Sequence, residues 1–399
     1  MAWLTSAQAL ARLGTKPQSL YASVSRGRIR VRLDPDDSRR RLYDGDDVGR
    51  LAGHPAGRRR SAAIAADAIS WGDPVLPSAI STIAGGRLYY RGRDAVALAD
   101  TSSLEDIAML LWETGPISFA GELASPPTLP PLRRGLAAMV DRATADAPLI
   151  GRTAAELRQE MPALVGILAT AFGAAPAEIP LHRRLAAAWR RPEAAGLLRR
   201  VLVLLADHEL TASTFAARIA ASTGAPLAAT MLAGLATLTG PRHGGAPAAI
   251  TALVATLQRD GARPWFSPER ALPGFGHRLY PAGDPRAAAL LDDIALPPGY
   301  AAYLAIGHDL TGEAPNVDFA LAALAAACDL PPDAPLLLFA LARSVGWLAH
   351  ALEQHSAGTP IRPRAHYVGP SPAPEAASPA ATTEGGSRLA PLAPHHEVE

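Results

Sequence analysis

The chain has 399 residues, 49% of them hydrophobic and 19% charged, enough to bury a substantial core in two or three domains. Arg, Asp or Pro interrupts every apolar run short of the ~20 residues a membrane span needs, and Met-Ala-Trp-Leu-Thr opens without a basic segment leading into an apolar one; a soluble, cytoplasmic protein with no membrane partner is expected. The single cysteine, Cys328, excludes an intrachain disulfide and a Cys-clustered zinc site, and the net charge of +1 hides an asymmetry: residues 1–60 hold 13 Lys and Arg against 6 Asp (net +7), the remainder 25 against 31 (net −6).

Residues 4–13 place a capping Thr or Ser before apolar positions at helical spacing, and Gly14 stops the pattern. Pro17 suits the first turn of a second helix running to about Ser25. Ile29–Leu33 alternates Arg with apolar residues, Asp34-Pro35-Asp36-Asp37 turns the chain, and Arg39–Tyr43 returns, which reads as a hairpin before a third helix capped by Asp44. This order resembles the winged helix-turn-helix of the MerR and excisionase type. The resemblance implies DNA as a partner, with Lys16, Arg26, Arg28, Arg30, Arg39, Arg40 and Arg41 on the phosphate-facing side. The expected division is a winged domain over 1–60, a linker over 61–70, a helical domain over 71–370 and a disordered tail over 371–399, the tail being poor in core residues.

Ala79–Arg93 has strand-like alternation broken by Gly85-Gly86, a hairpin signal. Ser102-Ser103-Leu104-Glu105 reads as a capping box that opens a helix with Ser102 as cap. From there to about Arg343 the chain is Ala- and Leu-rich, with helical periods expected over 132–145, 154–172, 180–188, 192–209, 214–223, 226–239 and 247–257. No fixed period of 30 to 45 residues appears, so a repeat solenoid is not supported. Cys328, inside an Ala/Leu stretch, reads as core filling.

Three stretches carry the chemistry. Gly240-Pro-Arg-His-Gly-Gly-Ala246 and Pro273-Gly-Phe-Gly-His-Arg-Leu-Tyr280 each set a histidine beside glycines, on open backbone and not on a buried helix face. Asp284-Pro-Arg286 follows the second, and Pro315-Asn-Val-Asp-Phe319 puts Asp318 in the first turn of an apolar helix. These motifs, in this order, resemble those of the citrate synthase family. Ala206-Asp-His-Glu209 with Ala212-Ser-Thr-Phe215, Arg343-Ser-Val-Gly-Trp347 with Ala349-His350, and Arg362-Pro-Arg364 before Tyr367 agree with it. The resemblance covers roughly 71–370 and implies a mainly α fold, a citrate synthase-like all-helical two-domain architecture with a small β-hairpin near its start. Within it a large subdomain is expected over about 71–243 and 331–370, and a small one over about 244–330.

A helix N-terminus favours a carboxylate while partial burial raises its basicity, so Asp318 suits removal of a carbon-bound proton. A neutral His243 at a helix start can donate to a thioester carbonyl as enolate charge develops, and His277 can polarise the ketone that is attacked. The resemblance implies these same roles, with acetyl-CoA as co-substrate, oxaloacetate as acceptor, and no bound cofactor or metal. It also implies carboxylate binding by Arg286, Arg343 and Arg362, hydrogen bonding by His208, and a homodimer in which Arg362 crosses the interface. Propionyl-CoA, giving 2-methylcitrate, is the alternative acyl donor, and a DNA-binding regulator sensing CoA esters or dicarboxylates is the alternative of another class. Arg242, Pro247 and Pro281 depart from the family pattern, the last where relatives often carry a basic residue near the CoA phosphates.

Overall fold

The computed structural model describes residues 3–13, 20, 23–24, 29–35, 37, 40–53, 76–123, 128–260, 272–363 and 369. The chain forms two compact units, residues 1–73 with 363–399, and residues 74–362. In the first, strands β1 (Trp3–Thr5), β2 (Val31–Leu33) and β3 (Arg41–Asp44) form an antiparallel sheet in the order β1-β3-β2, with helices α1 (Ser6–Leu13) and α2 (Gly45–Gly53). Asp44 accepts from the backbone N–H groups of Asp46 and Asp47, the cap its position promises. Ala9, Leu20, Ile29, Tyr43 and Val48 make a small core. The helix expected over 17–25 and the tail over 371–399 fall largely or wholly outside the described residues.

The second unit opens with β4 (Ser81–Ala84), β5 (Arg87–Tyr90) and β6 (Arg93–Asp94), an antiparallel sheet in sequence order. Gly85 and Gly86 hold φ of +57° and +72°, which closes the β4–β5 hairpin without steric cost. Helices then follow: α3 (Ala95–Thr101), α4 (Leu104–Trp112), α5 (Pro131–Ala145), α6 (Ala154–Ala171), α7 (Leu181–Ala188), a 3₁₀ turn (Pro192–Ala194), α8 (Ala195–Leu205), α9 (Ala212–Ser222), α10 (Leu227–Leu238), α11 (Ala246–Asp260), α12 (Pro285–Leu291), α13 (Pro298–Thr311), α14 (Val317–Ala327) and α15 (Ala334–Ala357). The capping box of α4 sits one residue later than expected: Ser103 is the cap and Asp106 completes it. The helix expected over 192–209 ends at Leu205, because residues 206–211 leave it to build the site described below.

The central helix α15 packs against α4, α6, α8, α9 and α10. Among the described residues it is the one helix long and apolar enough to cross a membrane, and it is buried in this core. A smaller core of Ile250, Val254, Phe275, Tyr300, Tyr303 and Phe319 joins α11, α13 and α14 beneath the loop that carries His277. Cys328 closes α14 and is half-buried against the larger core.

Candidate active site

Residues 273–277 and 314–318 are held together by backbone bonds. Gly276 N–H donates to the carbonyl of Ala314 at 2.9 Å, and Asn316 N–H to that of Gly274 at 2.9 Å. The Asn316 side chain caps α14, accepting from Asp318 N–H at 3.1 Å while its amide donates to the carbonyl of Gly276 at 3.1 Å. The chain passes close here because its glycines permit it: Gly276 has φ +68°, and a Cβ there would lie 2.1 Å from Glu313 Oε2. Phe275 anchors the loop in the smaller core, its ring 5.8 Å from Tyr303 and 6.0 Å from Phe319. His277 and Asp318 are therefore held on hydrogen-bonded neighbouring segments of backbone.

Asp284 ties in the arginine. It caps α12, its Oδ1 accepts from Arg286 Nε at 2.9 Å and its Oδ2 from Arg286 Nη2 at 2.8 Å. The same Oδ2 accepts from Val317 N–H at 3.1 Å, in the first turn of the helix that holds Asp318. Burial opposes both charges, yet the pairing outweighs it: the Asp284 carboxyl is held below its usual range and the Arg286 guanidinium above its own. Around Arg286 stand Tyr280, whose ring centroid is 5.2 Å from Cζ, then His277 and His208, whose rings lie 5.3 Å apart.

The other half of the site is built on residues 205–213. Arg343, fully buried in α15, donates from Nε to the carbonyl of Leu205 at 2.9 Å and from Nη1 to Thr211 Oγ1 at 3.2 Å; its Nη2 is buried with no hydrogen-bond partner among the described residues. Phe339 lies between the Arg343 guanidinium (4.9 Å from the ring centroid) and the His243 ring (5.5 Å). Ser213 Oγ lies 2.8 Å from His243 Nε2 and accepts from Trp347 Nε1 at 3.3 Å. The loop between α8 and α9 is pinned to the sheet: Ser81 Oγ donates to Asp207 and accepts from Glu209 N–H, and Glu209 Oε1 accepts from Ile83 N–H at 2.8 Å.

Electrostatics divides the groups by role. Burial, then Arg343, drives His243 down to about 4; burial, then Arg286, lowers His277; burial, then Arg286 and Arg343, puts His208 well below its ordinary value. All three rings are neutral near pH 7. Burial raises Asp318 to about 6, with Arg286 opposing and Asp284 adding. Such a carboxylate is ionised at neutral pH and more basic than one in water. Beside His277 a cleft of about 690 Å³ opens, lined by residues including Phe275, Arg278, Tyr280, His308 and Glu313.

Of the residues singled out in the sequence, His208 and His277 meet directly, Arg286 joins them through Tyr280, His243 and Arg343 meet across Phe339, and Asp318 joins through Asn316 and Asp284. Arg362 does not join. It is exposed, and neighbouring Ile361 donates its N–H to Ser222 at the far end of α9 from Ser213, a helix of 11 residues spanning about 16 Å. Sequence reasoning missed Asp284 as a strut, Tyr280 as the centre of the ring cluster, and the Ser81–Asp207 anchor. Asp before Pro at a helix start was a readable capping signal for the first; the other two left no local trace. No group of three metal-ligating side chains occurs among the described residues.

Fold and site thus define an almost wholly helical protein whose buried cluster combines neutral imidazoles, guanidinium groups and one basic carboxylate. The family model for the citrate synthase C-terminal domain matches residues 131–364, and the chain belongs to the citrate synthase family. It is 35% identical over 187 residues to a putative citrate synthase 2 of Mycobacterium tuberculosis, covering 43% of this chain and 50% of that protein. It is 36% identical over 186 residues to citrate synthase 2 of Bacillus subtilis, with the same coverage of each. The chain thus spans about half the length of the curated relatives it matches. The crystal structure of citrate synthase from Thermotoga maritima superimposes with a TM-score of 0.63 at 26% identity, covering 76% of this chain and 96% of that one. A Thermoplasma acidophilum citrate synthase, solved as a ternary complex with carboxymethyl coenzyme A and oxaloacetate, shares the fold at the same TM-score and 24% identity.

Proposed function

We propose that the protein condenses acetyl-CoA with oxaloacetate, giving citrate and CoA, as a citrate synthase-type acyltransferase. The observation that carries this reading is the joint placement of neutral imidazoles, two buried guanidinium groups and a carboxyl raised to about 6. Asp318 removes a proton from the carbon next to the thioester while His243 donates to the thioester oxygen, so that negative charge forms against a preplaced N–H. The enolate carbon bonds to the ketone carbon of oxaloacetate, whose oxygen takes a hydrogen bond and then a proton from His277, and a proton from solvent restores the neutral imidazole. Water then cleaves the thioester and releases CoA. Arg286 and Arg343 hold the carboxylates, the unpartnered Nη2 of Arg343 being a donor of the kind a carboxylate satisfies. Arg362, about a helix length away from its own chain's site, serves the site of a second copy in a homodimer. The cleft beside His277 exceeds a four-carbon diacid and suits part of a CoA chain. CoA enters as a co-substrate, and no bound cofactor takes part.

Oxaloacetate-dependent CoA release from acetyl-CoA and propionyl-CoA, run on wild type and on Asp318→Asn, tests the reading. Turnover that the substitution abolishes supports it, and a faster rate with propionyl-CoA moves the assignment to 2-methylcitrate formation. A folded dimer inert with both refutes it.

A second reading, a regulator that binds DNA through residues 1–60, is favoured by the net +7 of that segment and by Arg32, Arg40 and Arg41, which are exposed on β2 and β3 or beside them. Arg30 plays another part: from an exposed position its guanidinium pairs with the buried carboxylates of Asp47 at 2.8 Å and Asp44 at 3.1 Å. Salt-dependent retention of the full chain on nonspecific DNA, reduced in R32A/R40A/R41A, is the outcome this reading requires; equal elution at low salt excludes it.

A further inference from the structure

We propose that Tyr280 is a positioning residue that fixes which nitrogen of His208 carries the hydrogen offered to the oxo-dicarboxylate, an inference that rests on the condensing reading above.

A neutral imidazole has one N–H and one bare nitrogen, and the group that donates to the bare nitrogen decides where the hydrogen sits. Each of the three imidazoles of the site has a hydrogen-bonding group at one ring nitrogen. Leu279 N–H donates to His277 Nδ1 at 3.2 Å, which leaves the hydrogen on Nε2. Ser213 Oγ, which accepts from Trp347 Nε1 and lies 3.3 Å from Thr211 Oγ1, is 2.8 Å from His243 Nε2 and can complement either tautomer of that ring. For His208 the corresponding group is the Tyr280 hydroxyl, 2.9 Å from Nε2.

The direction of that third bond follows from its surroundings. Tyr280 is 2% exposed, and its hydroxyl has no other hydrogen-bond partner among the described residues. Burial pushes the phenol up to about 12, so it keeps its proton, and among the described residues His208 Nε2 is the one acceptor within reach of its hydroxyl. Donation to Nε2 puts the hydrogen of His208 on Nδ1. The ring also serves as a spacer, with centroids 5.6 Å from His208 and 4.8 Å from His277, and with Arg286 over its face at 5.2 Å. One side chain thus touches three groups assigned to the acceptor substrate, and it also lines the cleft assigned to part of the CoA chain. Its hydroxyl acts on His208, its ring on the spacing.

Tyr280→Phe removes the hydroxyl and keeps the ring, so the two contributions separate. Loss of one buried hydrogen bond to a group that acts on a single substrate is expected to raise KM for oxaloacetate about tenfold, leaving KM for acyl-CoA within about twofold. The signature that a merely structural residue would not move is the tautomer itself. In the full chain labelled with ¹⁵N-histidine, two-bond ¹H–¹⁵N spectra should show His208, assigned by difference from His208→Gln, protonated at Nδ1 in wild type and averaged between tautomers in Tyr280→Phe. His243 and His277 should not change. Wild-type His208 protonated at Nε2, an oxaloacetate KM unchanged in Tyr280→Phe, or equal rises in both KM values would each overturn the proposal. A wild-type chain without oxaloacetate-dependent CoA release would sink the condensing reading instead, and the ring spectra would still decide the part played by Tyr280.

Discussion

Asp318→Asn should make the protein more stable while it abolishes turnover, and the gain should depend on pH. Burial raises the Asp318 carboxyl from 3.8 to about 6 in the folded chain. An acid whose folded value is raised binds its proton more tightly folded than unfolded, so stability is lost as pH climbs from 3.8 to about 6, and the full penalty applies above that. At about 1.4 kcal/mol per unit, the ionised carboxylate costs about 3 kcal/mol at pH 8 and about 1 kcal/mol at pH 4.5. An amide of the same shape carries no charge and avoids that cost. Thermal melts followed by circular dichroism should place Asp318→Asn several degrees above wild type at pH 8, and the difference should shrink by more than half at pH 4.5. A variant no more stable than wild type at pH 8, or one whose advantage is independent of pH, would refute the argument that burial holds this carboxyl in a costly ionised state. The same titration predicts that kcat/KM falls with pH below about 6, as the base takes up its proton.

Asp284→Asn should leave the buried Arg286 guanidinium without its partner and loosen the first turn of α14, costing about 3–5 kcal/mol in a denaturant titration and raising KM for oxaloacetate before it affects KM for acyl-CoA. Gly276→Ala requires an L-residue at φ +68° with its Cβ against Glu313; a loss of about 1–3 kcal/mol is expected, and a Gly276→Ala/Glu313→Ala double variant should recover only the steric share. If Arg362 serves a partner's site, Arg362→Ala and Asp318→Asn should each be inactive, yet a refolded equimolar mixture should regain roughly a quarter of wild-type activity through mixed dimers with one intact site. No recovery in verified mixed dimers would place Arg362 outside the chemistry.

Much of the fold was legible because helix signals are short-range. Apolar positions three and four apart, prolines at first turns and glycines at turns depend on neighbours within one or two turns of chain. The β4–β5 hairpin at Gly85-Gly86, the start of α11 just after His243 and the place of Asp318 in the first turn of α14 all followed from such local patterns. The misread boundaries fail for a physical reason. Residues 206–209 have helical composition, but the carbonyl of Leu205 is taken by Arg343 and the carboxylate of Asp207 by Ser81 and His350, so tertiary partners outweigh a weak local preference. The capping box at 102–105 slipped by one residue because Ser103 with Asp106 satisfies the same geometry as Ser102 with Glu105 would.

The sequence by itself determined the helical class, the glycine-flanked histidines and the motif order that resembles one family. These rest on residue type and spacing along the chain. Only the tertiary structure decided that one carboxylate, Asp284, braces both Arg286 and the helix of Asp318, that Tyr280 stands among three side chains of the candidate site, and that Arg362 lies about a helix length from that site in its own chain. The decisive links are long-range: Asp284 reaches Val317 33 residues on, Tyr280 reaches His208 72 residues back, and Ile361 reaches Ser222 139 residues back. Their partners are chosen by how packed helices set side chains face to face, and no local preference carries that information.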